Sequence, residues 1–142
     1  MSNAIWAIGT LLKIGDGGTP TEVFTTIGEI TNITGPGVTL DTIEVTNHSS
    51  PGGCEEHIPS VLRTGEVTFD INFVPGSPTQ SFATGLIGDA VSRTLRNFEL
   101  LFPNLVKWEF AGYVIGFEPD APFDGKLGAS VTVKPVGQPT LV

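Results

Sequence analysis

Residues Asn47 to Val74 read NHSSPGGCEEHIPSVLRTGEVTFDINFV, and the two halves of that stretch obey different rules. Pro51, Gly52, Gly53 and Pro59 punctuate the first half, which runs from Asn47 to Thr64 without a usable period. The second half alternates. Val67, Phe69, Ile71 and Phe73 are interleaved with Glu66, Thr68, Asp70 and Asn72. Period two is the signature of a strand with one buried face. Long excursions in compact domains are usually functional or disordered. The segment 47–64 is therefore expected to be an irregular loop that reaches a neighbouring copy of the chain and orders only on assembly.

Upstream of this stretch, Ile5 to Ile14 is apolar and reads as a first strand, followed by a turn at Asp16-Gly17-Gly18 and Pro20. Glu22 to Thr34 is rich in Thr, Ile, Val and Phe, which suit a pleated surface, and reads as a second strand. Gly35-Pro36-Gly37 ends it. Val38 to Thr46 reads as a third strand with Asp41 and Glu44 exposed, and the second and third are expected to form a hairpin across the GPG corner.

Downstream, Ser77-Pro78-Thr79-Gln80 has the form of a capping box. Phe82, Leu86, Ile87, Ala90 and Val91 recur at helical spacing, so a helix is expected over about 78–92. Gly85 and Gly88 weaken it, so it needs a sheet to pack on. Arg96 to Phe102 reads as a strand. Leu105 to Glu118 is the most apolar segment and should be central. Pro119 to Gly125 reads as a loop and Lys126 to Lys134 as another alternating strand, while the tail VGQPTLV is expected to be irregular. The fold class is mainly β: an antiparallel sandwich or barrel of about seven strands with one short flanking α-helix. The chain reads as one domain over 1–142.

Composition narrows the function. The chain has 142 residues and a net charge of −8, with seven Lys and Arg against 15 Asp and Glu. A protein that grips nucleic-acid phosphates needs clustered basic residues, and these are few and scattered. Only 15% of residues are charged, where soluble domains run about 25%. No apolar stretch approaches the roughly 18 residues of a membrane helix, so no membrane role is expected. Too few charges to cover a surface points to burial against partners, ahead of a monomer with a Thr-, Gly- and Ser-rich exterior. The start MSNAIWAIG lacks the basic region of a signal peptide, and Ser2-Asn3-Ala4 resembles the remnant of a purification tag. The chain is thus expected in the cytoplasm or in a particle assembled there.

Chemistry is thin. Cys54, the single cysteine, excludes an intrachain disulfide. His48, Cys54, Glu55, Glu56 and His57 gather potential zinc ligands, but their spacing matches no standard site. Cys54 with His57 lacks a third, orienting group for nucleophilic catalysis. Glu66 and Asp70 share a strand face, where solvated or lumen-facing carboxylates are expected ahead of an acid–base pair. The glycine clusters lack phosphate-loop spacing. Trp6 and Trp108 read as core or interface anchors. A sugar-binding sandwich would show loop aromatics, and Phe123 alone qualifies. No catalytic residue, metal or cofactor is assigned, and the chain is expected not to be an enzyme.

Four stretches carry a family resemblance: IWAIGTLLKIGDG, FTTIGEITNITGPG, TLDTIEVTNHSSPGGCEEHIPSVLRTGEVTFDINF and DGKLGASVTVKPVGQPTL. In order and spacing the chain resembles the major tail tube protein of long, non-contractile (siphovirus-type) bacteriophage tails. The resemblance implies hexameric rings stacked into a tube, a virion tail assembled in the host cytoplasm from a phage or prophage genome, and bridging by long loops and the N-terminal arm. It implies tape-measure, tail-tip and tail-terminator proteins as partners, and genomic DNA that passes without specific binding. An immunoglobulin-like C-terminal domain, present in some members, is not expected here. The bridging residues assigned on this basis are Asn47, His48, Glu55, Glu56, His57, Ile58 and Arg63. Six copies at −8 would give −48 per ring, so Asp and Glu are expected to outnumber Lys and Arg on the lumen wall. A related secretion-type tube is the alternative, and a metal enzyme built on His48–His57 the weaker one.

Overall fold

A computed structural model describes residues 2–17, 21–81 and 85–141. The alternating segment forms a strand, Val67–Asn72, whose Val67, Phe69 and Ile71 are buried while Thr68 and Asp70 face solvent. In chain order the strands are β1 (Leu11–Gly15), β2 (Phe24–Thr26), β3 (Ile30–Thr34), β4 (Thr39–Glu44), β5 (His57–Arg63), β6 (Val67–Asn72), β7 (Arg96–Leu101), β8 (Lys107–Asp120) and β9 (Gly128–Leu141). One helix, α1 (Leu86–Ser92), precedes β7. Among the described residues, seven strands form an antiparallel sheet ordered β2-β1-β7-β8-β9-β6-β3, and β4 pairs only with β5. The expected fold class is the one the chain adopts.

The sheet curls because its two edge strands are consecutive in sequence. Only Ile27–Glu29 separate β2 from β3. The Ile27 amide donates to the Leu12 carbonyl of β1 at 2.9 Å, and the Asn72 amide of β6 donates to the Glu29 carbonyl at 2.8 Å. Three residues thus tie both edges together. The enclosed core is built by Leu12, Ile27, Phe69, Phe98, Val131 and Val133, with Phe98 stacked on Phe110 at 5.5 Å. The predicted single strand 22–34 is therefore two strands on opposite edges, and the predicted hairpin across GPG does not form. Gly35 is needed there, with φ at +92° and an added Cβ only 2.6 Å from the Glu66 carbonyl.

Other boundaries also differ from expectation. The first strand starts at Leu11, leaving Ile5 to Thr10 as an arm. The helix is shorter than 78–92, because Ser77–Gln80 is a turn and Gln80 does not cap. The Gln80 side chain is fully buried, donating to the Gly28 and Asn72 carbonyls and accepting from the Val74 amide. Phe82 lies outside the described residues. The tail 136–141 continues β9 instead of being irregular. A register shift accommodates it: Val136 faces Ala111, whereas Thr140 faces Glu109, and Gly137 at φ +75° sits in the bulge. Pro135 is tolerated because β6 stops pairing at Val133, so β9 has a free edge there.

α1 packs on β8 and buries Leu86. Arg96 Nη2 lies 3.0 Å from Asp89 Oδ1, and Arg96 Nη1 donates to the Gly15 carbonyl at 3.1 Å. Asp89 Oδ2 is buried without a partner. Burial pushes the Asp89 carboxyl above its ordinary pKa, and Arg96 opposes that shift.

Candidate assembly surfaces

The segment expected to be an irregular loop is irregular from Asn47 to Glu56 apart from one 3-10 turn, but its second part is a strand of a β-ribbon. β5 occupies His57–Arg63 and pairs antiparallel with β4, yet every residue of β5 is exposed. That exposure explains the missing period: with no buried face, nothing selects alternation. Leu40 faces Leu62 and Ile43 faces Ile58 across the ladder. A register shift separates the two pairs, and both lie on the exposed part of the ribbon. Leu40, Ile43, Ile58 and Leu62 are 47–53% exposed.

The tip is stitched by its own hydrogen bonds. The Val45 amide donates to the Glu56 carbonyl at 2.8 Å, and the Glu56 amide donates to Thr46 Oγ1 at 2.8 Å. Ser50, buried at this exposed end, donates from Oγ to Glu56 Oε2 and accepts from the Asn47 amide. Asn47 Oδ1 accepts from the Ser49 amide, and Pro51–Gly53 adds one 3-10 turn. Asn47 and Glu56 therefore shape the tip, while His48 and Glu55 project from it.

The assigned residues fall on one element but not into one site. Arg63 lies at the root of the ribbon and pairs with Asp41 at 2.6 Å, within the chain. His57 Nε2 lies 3.5 Å from Glu55 Oε2. Among the described residues, Glu44, Glu55 and His57 bring ligand atoms within 4.8 Å of one another, all exposed; His48 and Cys54 do not join them. Asp70 accepts from Ser130 Oγ on the sheet face away from the core, at 3.2 Å. Sequence reasoning passed over Leu40, Ile43, Val61 and Leu62, whose signal was apolar residues on a segment with nothing of its own to cover them.

A second apolar surface lies at the ribbon's root. The arm carries Ile5, Trp6 and Ile8, at 61, 78 and 68% exposure. Between the arm, β3 and the start of β8 is a cavity of about 890 Å³, walled by Trp108, Phe102 and Pro36 among others. Trp108 meets Phe102 edge-on at 5.5 Å. No helix of the described residues is long and apolar enough to cross a membrane.

Residues 16–142 match the model of the lambda phage tail tube protein family. The chain belongs to that family. It is thus related to structural subunits of virion tails. Solved structures share the fold at low identity. The tail of an empty GTA particle, refined with C6 symmetry, is 14% identical with a TM-score of 0.72, over 93% of this chain and 94% of that one. A sheath/tube terminator of an extracellular contractile injection system is 12% identical with a TM-score of 0.74, over 100% and 99%. The SPP1 tail tube is 13% identical with a TM-score of 0.63, over 90% and 73%. Comparison with curated proteins gives no match.

Proposed function

We propose that the chain is a repeating subunit whose six copies close into a ring, with rings stacking into the tail tube through which DNA leaves the virion. The observation that carries this is the β4–β5 ribbon, whose cross-strand apolar pairs Leu40–Leu62 and Ile43–Ile58 stand exposed, with no cover among the described residues. Such a ribbon is marginal alone. Covered on both sides by neighbouring copies, it becomes a fastener between rings. Asn47, His48, Glu55, Glu56, His57, Ile58 and Arg63 are the proposed contact residues, together with Leu40, Ile43 and Leu62. Tape-measure, tail-tip and terminator proteins are the proposed further partners. The role needs no catalysis.

The acidic balance supports passage of DNA, since like charge removes the attraction that holds proteins to phosphates. By strand register, the sheet face away from the core carries Asp70, Glu109, Glu118 and Asp120 against Lys13, Lys107 and Lys134, with Glu99 on the same face but buried. A lumen wall dominated by lysine would end that part of the proposal. A tube of a tail-like injection system is the second reading, supported by the likeness to the contractile injection system.

Electron microscopy of concentrated protein tests the assembly, with stacked rings expected. Deleting Ser49 to Pro59 removes the tip and the start of β5. The expected product is a folded body, with an unchanged melting profile, that no longer polymerises. Tubes of normal length from that deletion would remove the ribbon's role.

A further inference from the structure

The two ends of β8 differ in kind. At its start, Trp108 lines the cavity described above, and among the described residues no charged side chain lines it. Three residues past its end, Phe123 stands on the turn between β8 and β9 with a relative exposure of 102%. A 14-residue strand spans roughly 45 Å at about 3.3 Å per residue. The apolar hole and the apolar knob therefore sit at opposite ends of one subunit. Complementary patches on different surfaces make head-to-tail contacts that repeat without limit.

We propose that Phe123 of one copy seats in the Trp108 cavity of the next copy along the tube; this rests on the stacked-ring reading above. Charge supports the choice of occupant. Residues 118–127 carry Glu118, Asp120 and Asp124 against Lys126, whereas Lys107 is the sole charge in residues 100–108. Seating the knob brings the acidic end of one copy against the end of the next that carries Lys107, whose side chain lies on the sheet face opposite Trp108. Opposite charges around an apolar anchor set register and partner choice. The ribbon springs from the cavity end of the subunit, since Gly35 and Pro36 line the cavity and lead into β4. Knob and ribbon then act at the same ring-to-ring junction from opposite sides.

The test uses the full chain. Phe123→Asp changes a side chain that packs on nothing, so the melting temperature should hold. The protein concentration needed for tubes, read by sedimentation and microscopy, should rise at least about tenfold. In a Cys54→Ser background, Phe123→Cys with Asn32→Cys should give an oxidised ladder of multimers. Tubes from Phe123→Asp at the unsubstituted concentration would overturn the proposal. A cross-link to Asn32→Cys from Ile58→Cys instead of Phe123→Cys would also overturn it, by placing the ribbon in the cavity. Absence of tubes from the unsubstituted chain would overturn the stacked-ring reading itself, whereas intact tubes from Phe123→Asp remove only the knob.

Discussion

β5 and β6 are neighbours in sequence and opposites in environment. HIPSVLR is exposed at all seven positions, whereas VTFDIN buries every second residue. Both satisfy backbone hydrogen bonds with an antiparallel partner. Backbone pairing therefore does not distinguish a strand that holds a domain together from one that waits for another molecule. The side chains do: β6 spends its apolar face inside its own chain, and β5 keeps Ile58, Val61 and Leu62 outside.

The strongest challenge to this contrast is a pair of truncations. Phe98 is fully buried and stacked on Phe110. Phe98→Ala should cost about 3–5 kcal/mol in denaturant unfolding of the unassembled chain. Ile58→Ala, on the ribbon, should cost no more than about 0.5 kcal/mol under the same conditions. Comparable losses would show that the ribbon is part of the cooperative core.

A buried ion pair gives the next largest effect. Asp89 is held by Arg96 at the junction of α1 and β7, and its carboxyl is already raised by burial. Arg96→Met leaves that charge alone in the interior, at a cost of about 3 kcal/mol at pH 7. The sign of the pH dependence follows from the raised pKa. A carboxyl with a folded pKa above its unfolded value contributes stability that is fullest below the unfolded pKa and is lost as pH rises through the folded one. Removing Arg96 raises the folded value further. The loss should therefore shrink when melting is measured at acidic pH, and a loss equal at pH 4 and pH 7 would refute the account.

How much was legible follows the same division. β6, β7 and β8 were readable because burial on one face, or on both, imposes a pattern on the residues. Trp108 was marked by its chemistry, but the cavity it lines depends on β3 lying across from it, which no local pattern encodes. Glu22 to Thr34 looked like one strand, and only the closing of the sheet splits it at Ile27–Glu29. Gln80 looked like a helix cap because its spacing fits, but its amide serves three backbone groups brought together by folding. β5 was missed since full exposure erases the period. The tail of β9 was missed since Gly137 and Pro139 signal irregularity, and the bulge that absorbs them is visible only against β8.

The smallest effect is the most discriminating. Arg63 and Asp41 form an exposed pair across the ribbon's root, at 2.6 Å. Exposed pairs contribute about 0.5 kcal/mol, and salt weakens them further. Arg63→Glu should therefore shift unfolding of the unassembled chain by under about 1 kcal/mol, with the shift fading at high salt. The same change should weaken tube formation far more, because a neighbour that covers the ribbon desolvates both groups and leaves two carboxylates facing each other. Adding Asp41→Arg restores opposite charges in reversed order, so it should recover assembly if the pair acts within the ribbon. No recovery would mean that Arg63 meets a carboxylate on the neighbouring copy instead.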